Sequence, residues 1–284
     1  MDKNLKEEII GKEFKVLDKG FVRLIDVMGD DSAIVQAARV SYGEGTKTVR
    51  EDRGLIRYLM RHRHTSPFEM VEFKFHIKLP IFVARQWIRH RTANVNEYSG
   101  RYSVIRDEFY VPEIEEIRTQ SQINKQGRSN EIISPEIAEN IAKKIEATQS
   151  KLYSEYKEFL GFNIARELSR INLPLSTYTE WYWKIDLHNL FHFLKLRLDK
   201  TAQFEIRKYA EIMADIVKSI VPLSYEAFED YLLNSVTFSK NELIYLKNIF
   251  HSLPEIIEDS LMSSGFSKTE AREFLDKLEI FNRL

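Results

Sequence analysis

Val71-Glu-Phe-Lys-Phe-His-Ile-Lys-Leu79 alternates without a miss: Val71, Phe73, Phe75, Ile77 and Leu79 point one way, Glu72, Lys74, His76 and Lys78 the other. A period of two marks a strand with one buried and one wetted face. Pro80 follows where a helix can start, and Ile81 to Arg91 holds no breaker, so a helix is expected to carry Arg85, Gln86, Arg89 and His90.

Upstream, the short apolar run Phe21 to Met28 predicts a second strand, followed by a helix over Asp31 to Ser41 capped by Asp30 or Asp31. Another helix is expected over Asp52 to Arg61, burying Leu55, Ile56, Leu59 and Met60. Downstream, Thr92 to Arg101 turns small and polar and reads as a loop, and Gln120 to Ser134 reads as a mobile polar excursion. A long helix from Pro135 is expected to bury a stripe of Ile137, Ile141, Ile145, Leu152 and Phe159. Leu175 to Ile185 predicts a strand, Asp186 the cap of the next helix, and Thr201 to Ile220 a further helix ending before Pro222. In the tail, Ser239-Lys-Asn-Glu242 and Ser267-Lys-Thr-Glu270 both fit the capping box. The expected fold class is α+β: helices packed on an antiparallel-rich sheet over residues 1–222, with a helical appendage over 223–284.

Composition narrows the function classes. The chain has 284 residues, with 42 basic and 43 acidic side chains, a net charge of -1 that disfavours a dedicated nucleic-acid binder. There is no cysteine, which removes disulfides, thiolate metal sites and cysteine nucleophiles, and fits a reducing cytoplasm. The first twenty residues are charged throughout, unlike a signal peptide, and no stretch approaches the roughly 20 apolar residues of a membrane span. A cytoplasmic, soluble protein is expected.

Three polar clusters are candidates for chemistry. Arg85, Arg89, His90, Arg91, Asn94, Asn96, Glu97, Ser99 and Arg101 gather four guanidinium forks, suited to phosphate, with amide and hydroxyl groups that read a polar edge. A solvated basic helix end is the alternative. His62, His64, Ser66, Pro67 and Glu69 fit a helical first turn, with Ser66 as cap, or an anion or metal site. His188 and His192, four apart, form a zinc pair or simply line a helix face, and the remaining histidines, His251 included, make no metal motif. Arg197 ends a strongly apolar helix, where it either meets an anionic partner or bonds the helix carbonyls. No GxGxxG or P-loop pattern occurs.

Arg89-His90-Arg91, seven residues, Ser99 and then Arg101 resemble the signature of the flavin-dependent thymidylate synthases. Ala37-Ala-Arg-Val-Ser41, His64-Thr-Ser-Pro-Phe-Glu69, Phe82-Val-Ala-Arg-Gln-Trp87, Arg170 with Leu173-Pro174, and Leu196-Arg197 with Ala202-Gln203 resemble further blocks of that family in order, over about 14–223. The resemblance implies an α+β homotetramer with shared active sites. It implies FAD as cofactor, NADPH as reductant, and methylation of dUMP by methylenetetrahydrofolate, with no nucleic-acid or membrane partner. Carried over by position, Gln86, Arg89, Glu97, Ser99, Gly100, Arg101, Arg170 and Arg197 would contact dUMP, Arg197 as the catalytic residue that polarises the uracil. Ser66, Arg89, His90, Arg91, Glu97, Asp186, His188 and His192 would contact FAD. No metal is implied. Asn94, Met70 and Thr201 depart from the family pattern, which usually has Ser, His and His there. The missing cysteine agrees with the flavin route, since the other thymidylate chemistry attacks uracil with a thiolate.

Overall fold

The computed structural model describes residues 8–40, 49–122, 125–249 and 256–283. Ser41 and His251 lie outside the described residues. The strands are β1 (Glu13–Val16), β2 (Gly20–Met28), β3 (Glu72–Pro80), β4 (Asn94–Glu97), β5 (Arg118–Gln120), β6 (Arg128–Ile132) and β7 (Tyr178–Asp186). Five of them form an antiparallel sheet in the order β1-β2-β3-β7-β4, with the alternating run at its centre, and β5 pairs with β6 in a separate hairpin. The fold class is α+β, as expected.

Alternation in β3 becomes packing on one face. Val71, Phe73, Phe75, Ile77 and Leu79 have no solvent exposure. Their partners continue the apolar layer, with Phe75 opposite Trp183 and Leu24, and Ile77 opposite Trp181 and Val22. Each such side chain contributes about 1.5–3 kcal/mol by leaving water. Trp87, Phe193, Ile206 and Tyr209, from the helices Ile81–Trp87, Leu187–Arg197 and Phe204–Ile220, close over this layer in the same core. Tyr209 donates its hydroxyl to the Lys78 carbonyl (2.8 Å) across the sheet. Gly20 is required there, since a Cβ would come within 2.1 Å of that hydroxyl.

Several elements depart from the sequence reading. Asp30, one of the two caps read from the sequence, does cap Asp31–Arg39, accepting from the Ser32 amide (2.9 Å), but the helix ends two residues before the expected Ser41. The helix from Ile81 stops at Trp87, so Arg89, His90 and Arg91 follow it in a turn, with the His90 amide bonded to the Trp87 carbonyl (2.9 Å). The expected loop contains β4, an edge strand paired to β7, whose four residues are all exposed and so carry no apolar alternation. The expected polar excursion contains most of the β5–β6 hairpin, held by side chains such as Thr119 and Ser129 (2.6 Å) rather than by apolar pairs. Helix Pro135–Gly161 buries Ala138, Gln149, Tyr153 and Tyr156 and leaves Ile137 exposed, because tyrosine hydroxyls and the Gln149 amide find backbone partners beneath it. Ser66 belongs to a 3₁₀ turn, Ser66–Met70, whose cap position is Thr65, and no side chain caps it.

The chain forms two compact units, 1–233 and 234–284. Residues 223–233, read from the sequence as the start of the appendage, fall in the first unit. Asp31 accepts hydrogen bonds from the Leu223 and Ser224 amides (both 2.9 Å), and Phe228 stacks on Phe191 (4.4 Å between centroids). The second unit holds helices Lys240–Ile249, Glu258–Ser263 and Lys268–Arg283. Both expected capping boxes form there: the Ser267 amide donates to Glu270 (2.9 Å) and the Glu270 amide to the Ser267 hydroxyl (3.3 Å), with Ser239 and Glu242 paired likewise. No helix among the described residues is long and apolar enough to cross a membrane.

Candidate active site

Two helix ends meet beside the apolar sheet face. Trp87, at the end of Ile81–Trp87, packs on Phe193 (4.6 Å), Trp183 (5.4 Å) and Trp181 (5.8 Å), which fixes the turn that follows. His90 in that turn meets the ring edge of Phe193 (4.9 Å), and its Nε2 receives a hydrogen bond from Arg197 Nε (3.0 Å). Of the two readings of Arg197, neither is complete: its partner within the chain is an imidazole, not an anion or the helix carbonyls. A guanidinium can only donate, so His90 Nε2 carries the lone pair and Nδ1 the proton. Burial, with the Arg197 and His192 charges nearby, pushes the His90 pKa down to about 4. His90 is therefore neutral near pH 7, and burial also pushes the Arg197 pKa down.

Arg197 opens on a cavity of about 710 Å³ together with Gln86 and Gln203. Gln86 Oε1 is buried there without a hydrogen-bond partner. A buried carbonyl oxygen left unpaired costs about 1–3 kcal/mol, so it marks a place where a ligand N–H or O–H belongs. Arg118, Arg128, Lys200 and Arg207 also line the cavity, against Glu116 as the acidic side chain of the lining. That balance suits an anionic, hydrogen-bonding ligand.

Other sequence-assigned residues stand elsewhere in the chain. Ser99 starts a tight turn, its carbonyl accepting from the Tyr102 and Ser103 amides. Gly100 is buried against Arg170: a Cβ at Gly100 would lie 3.0 Å from Arg170 Nη1. Arg101 pairs with Glu167 (3.0 Å) at the surface. None of these four lines the Arg197 cavity. Arg89 and Arg85 are exposed. Glu97 accepts from the Thr179 hydroxyl (2.8 Å), which ties the β4 edge to β7.

A second recess of about 280 Å³ brings His64, His188 and His192 together with Arg63 and Lys195 over Leu59, Met60, Phe68 and Phe191. Ser66 is exposed in the 3₁₀ turn that supplies Phe68. Asp186 accepts from the Asn189 amide (2.9 Å) and side chain (2.7 Å), so it orients the start of the helix that carries His188 and His192. His90 and Arg91 line a third recess of about 310 Å³ with Trp181 and Trp183. No group of three or more metal-ligating side chains occurs among the described residues, so the histidine pair stands without a third ligand.

Sequence reasoning missed the hairpin side of the large cavity, Arg118 and Arg128, and also Lys200 and the helix residue Arg207. The signal for Arg128 was the polar tract itself, which offers no apolar period.

The family described as thymidylate synthase complementing protein matches residues 23–223. A flavin-dependent thymidylate synthase of Treponema denticola is 57% identical over 268 residues, 94% of this chain and 97% of the relative. One from Thermus thermophilus is 57% identical over 263 residues, covering 93% and 94%. Among solved structures, the UMP/dUMP methylase PolB of Streptomyces cacaoi, bound with 5-Br UMP, superposes with a TM-score of 0.70 at 33% identity over 78% of this chain and 99% of that one.

Proposed function

This chain belongs to the flavin-dependent thymidylate synthases, and from that premise we propose how its residues divide the work. The enzyme methylates dUMP to dTMP, taking the one-carbon unit from methylenetetrahydrofolate and reducing equivalents from NADPH through FAD. Tetrahydrofolate is the other product.

The dUMP pocket is built on the large cavity. Arg197, with Nε held by His90, is the catalytic residue: its remaining donors face the uracil and stabilise negative charge as it develops on the ring. Gln86 Oε1 accepts from the pyrimidine edge, which satisfies the buried orphan oxygen. Arg89, Ser99, Gly100, Arg101, Arg170 and Glu97 complete the nucleotide contacts, arginine for phosphate and backbone and hydroxyl donors for the sugar.

FAD supplies the hydride when bound, and the recesses fit its chemistry. An apolar floor under a cationic rim, as at His64, His188, His192 and Lys195, suits a flat ring system joined to a diphosphate. Ser66, Arg89, His90, Arg91, Glu97, Asp186, His188 and His192 are assigned to it, Asp186 through the helix start it orients. His90 thus serves both ligands, as a neutral imidazole that anchors Arg197.

The separation of Arg170 and Gly100 from the Arg197 cavity supports a site assembled from more than one copy. Leu168, Ile171 and Leu175, beside Arg170, are 57%, 71% and 63% exposed, an apolar surface that fits a subunit interface of a homotetramer. The first unit carries the chemistry, and the enzyme works in the cytoplasm.

The observation that carries this reading is Arg197 held by a neutral histidine beside the unpaired Gln86 oxygen. FAD-loaded protein reduced anaerobically by NADPH should reoxidise on addition of dUMP and methylenetetrahydrofolate, with dTMP formed in step. Protein that stays colourless with FAD and leaves flavin fluorescence unquenched refutes it.

A further inference from the structure

Glu205 stands in the first turn of helix Phe204–Ile220 and is 2% exposed. A carboxylate that deep costs several kcal/mol unless its oxygens are fully bonded. Two distant segments and the helix's own cap residue do the bonding. Tyr110 donates its hydroxyl to Oε1 (3.1 Å), Arg128 of β6 donates to the same oxygen, and Gln203 Nε2 donates to Oε2 (2.9 Å). The two distant donors are anchored in turn. The Tyr110 amide bonds the Ser176 carbonyl (2.9 Å), its own carbonyl accepts from Gln149 (2.9 Å), and Arg128 also reaches Glu116 (3.1 Å) and lies over the Phe204 ring (5.1 Å). Burial, with the Glu205 charge beside it, pushes the Tyr110 pKa far up, so the phenol stays a donor.

The network has a directional consequence at Gln203. A carboxylate only accepts, so the Gln203 amide must turn its NH₂ inward to Glu205. Its carbonyl oxygen is then the end left for the cavity, where Gln203 is exposed beside Gln86 and Arg197. Arg128 and Gln203 both line that cavity, one from the hairpin and one from the start of helix Phe204–Ile220, and Glu205 joins them.

We propose that Glu205 is a positioning residue of the dUMP pocket: its buried carboxylate sets the Gln203 amide with the carbonyl oxygen facing the ligand, and ties the β5–β6 hairpin to the turn that carries Gln203. The inference rests on the assignment of the Arg197 cavity to dUMP. A glutamine at 205 would fill the same space but both donates and accepts, so the Gln203 amide loses its fixed sense. Arg128 keeps Glu116, and the hairpin loses its tether.

The test uses FAD-loaded enzyme carrying Glu205→Gln, Gln203→Ala, both together, or Arg197→Ala. Dissociation constants for dUMP come from calorimetry, flavin content from absorbance, and thermal midpoints from circular dichroism. Glu205→Gln and Gln203→Ala should each weaken dUMP binding about tenfold, the size of one lost hydrogen bond to a polar ligand. Both should keep full flavin, and kcat at saturating dUMP should change less than threefold. The double variant should be no weaker than Gln203→Ala by more than about threefold, because the two act on one contact. A merely structural Glu205 predicts a lowered thermal midpoint with unchanged dUMP affinity, which overturns the proposal, as do two losses that multiply. If Glu205→Gln fails to load flavin, the exposed Gln203→Ala still decides: unchanged dUMP affinity there refutes the proposal. Arg197→Ala separates the two layers, for dUMP affinity untouched by it removes dUMP from this cavity altogether, whereas a loss confined to Arg197→Ala defeats only the role of Glu205.

Discussion

Arg197 and Arg170 are assigned to one nucleotide, yet the chain treats them differently. Arg197 is pinned by His90 at 3.0 Å, against an aromatic wall of Trp87 and Phe193, in a cavity with an unpaired Gln86 oxygen. Arg170 follows the short helix Arg166–Ser169 and opens the turn Arg170–Asn172, lies against Gly100, and has no carboxylate partner among the described residues. Its surroundings are exposed leucine and isoleucine. One arginine is oriented by its own chain before substrate arrives, and the other awaits something outside the chain. An oriented donor favours the transition state, because no reorganisation is left to do when charge develops. A cation at an open apolar surface is suited to phosphate capture, and in the proposed shared site a neighbouring copy would close it.

The sharpest way to break this contrast is Arg197→Ala. Removing a preoriented charge donor should lower dTMP formation by about 10³-fold, with FAD still bound. Turnover within tenfold of the parent enzyme would show that Arg197 is not the group that acts on the uracil. On the open side, Ile171→Asp places a charge in the exposed apolar surface and leaves the protomer core untouched. Light scattering should report smaller assemblies, and activity should fall with the assembled fraction by about 10²-fold where assembly is lost. A monomer with full activity would remove the shared site.

Gly100→Ala probes the open arginine more gently. The added Cβ meets Ile105 Cδ1 at 2.8 Å and Arg170 Nη1 at 3.0 Å, both ends of flexible side chains. Folding should therefore change little while the guanidinium shifts. KM for dUMP should rise about tenfold with kcat nearly constant, as expected when a ground-state phosphate contact is misplaced. Unchanged KM would mean that Arg170 does not touch the nucleotide.

The closed side was partly legible in the sequence and the open side scarcely at all. Strict alternation from Val71 to Leu79 placed the central strand because every inward side chain is apolar. Asp186 and the two capping boxes were legible because a cap is a local bond between residues three apart. β4 and the hairpin were missed because their strands hold by backbone and hydroxyl bonds, which leave no hydrophobic period. The stripe on Pro135–Gly161 was misplaced for a related reason: Tyr153 and Tyr156 are buried with their hydroxyls bonded at Ile105, and isoleucine counts could not show that. For the site, the family resemblance named Gln86, His90 and Arg197, but their meeting depends on Trp87 packing on Phe193 across 106 residues of chain. Glu205 carried no signal, since a buried carboxylate reads as a helix-start residue until its three donors are seen.

The smallest expected effect tests how firmly the closed pair is held. The His90 pKa lies at about 4 in the folded chain, against an ordinary value of 6.5. Burial is the largest cause, followed by the charges of Arg197 and His192. Between these two values the unfolded chain binds a proton at His90 that the folded chain refuses, so stability rises with pH. Above pH 6.5 the contribution is fully present, and it is lost as pH falls towards 4. The full shift corresponds to about 3 kcal/mol, which solvent screening around the half-buried ring reduces to about 1–2 kcal/mol. Protonation also removes the Nε2 lone pair that accepts from Arg197, so the same window should release the guanidinium. His90→Gln keeps an acceptor and does not titrate. Denaturant unfolding at pH 7.5 and 4.5 should therefore show the parent chain losing about 1–2 kcal/mol more than the variant, other groups being common to both. Equal losses would mean that His90 titrates as an ordinary exposed imidazole, and that Arg197 is held no more tightly than Arg170.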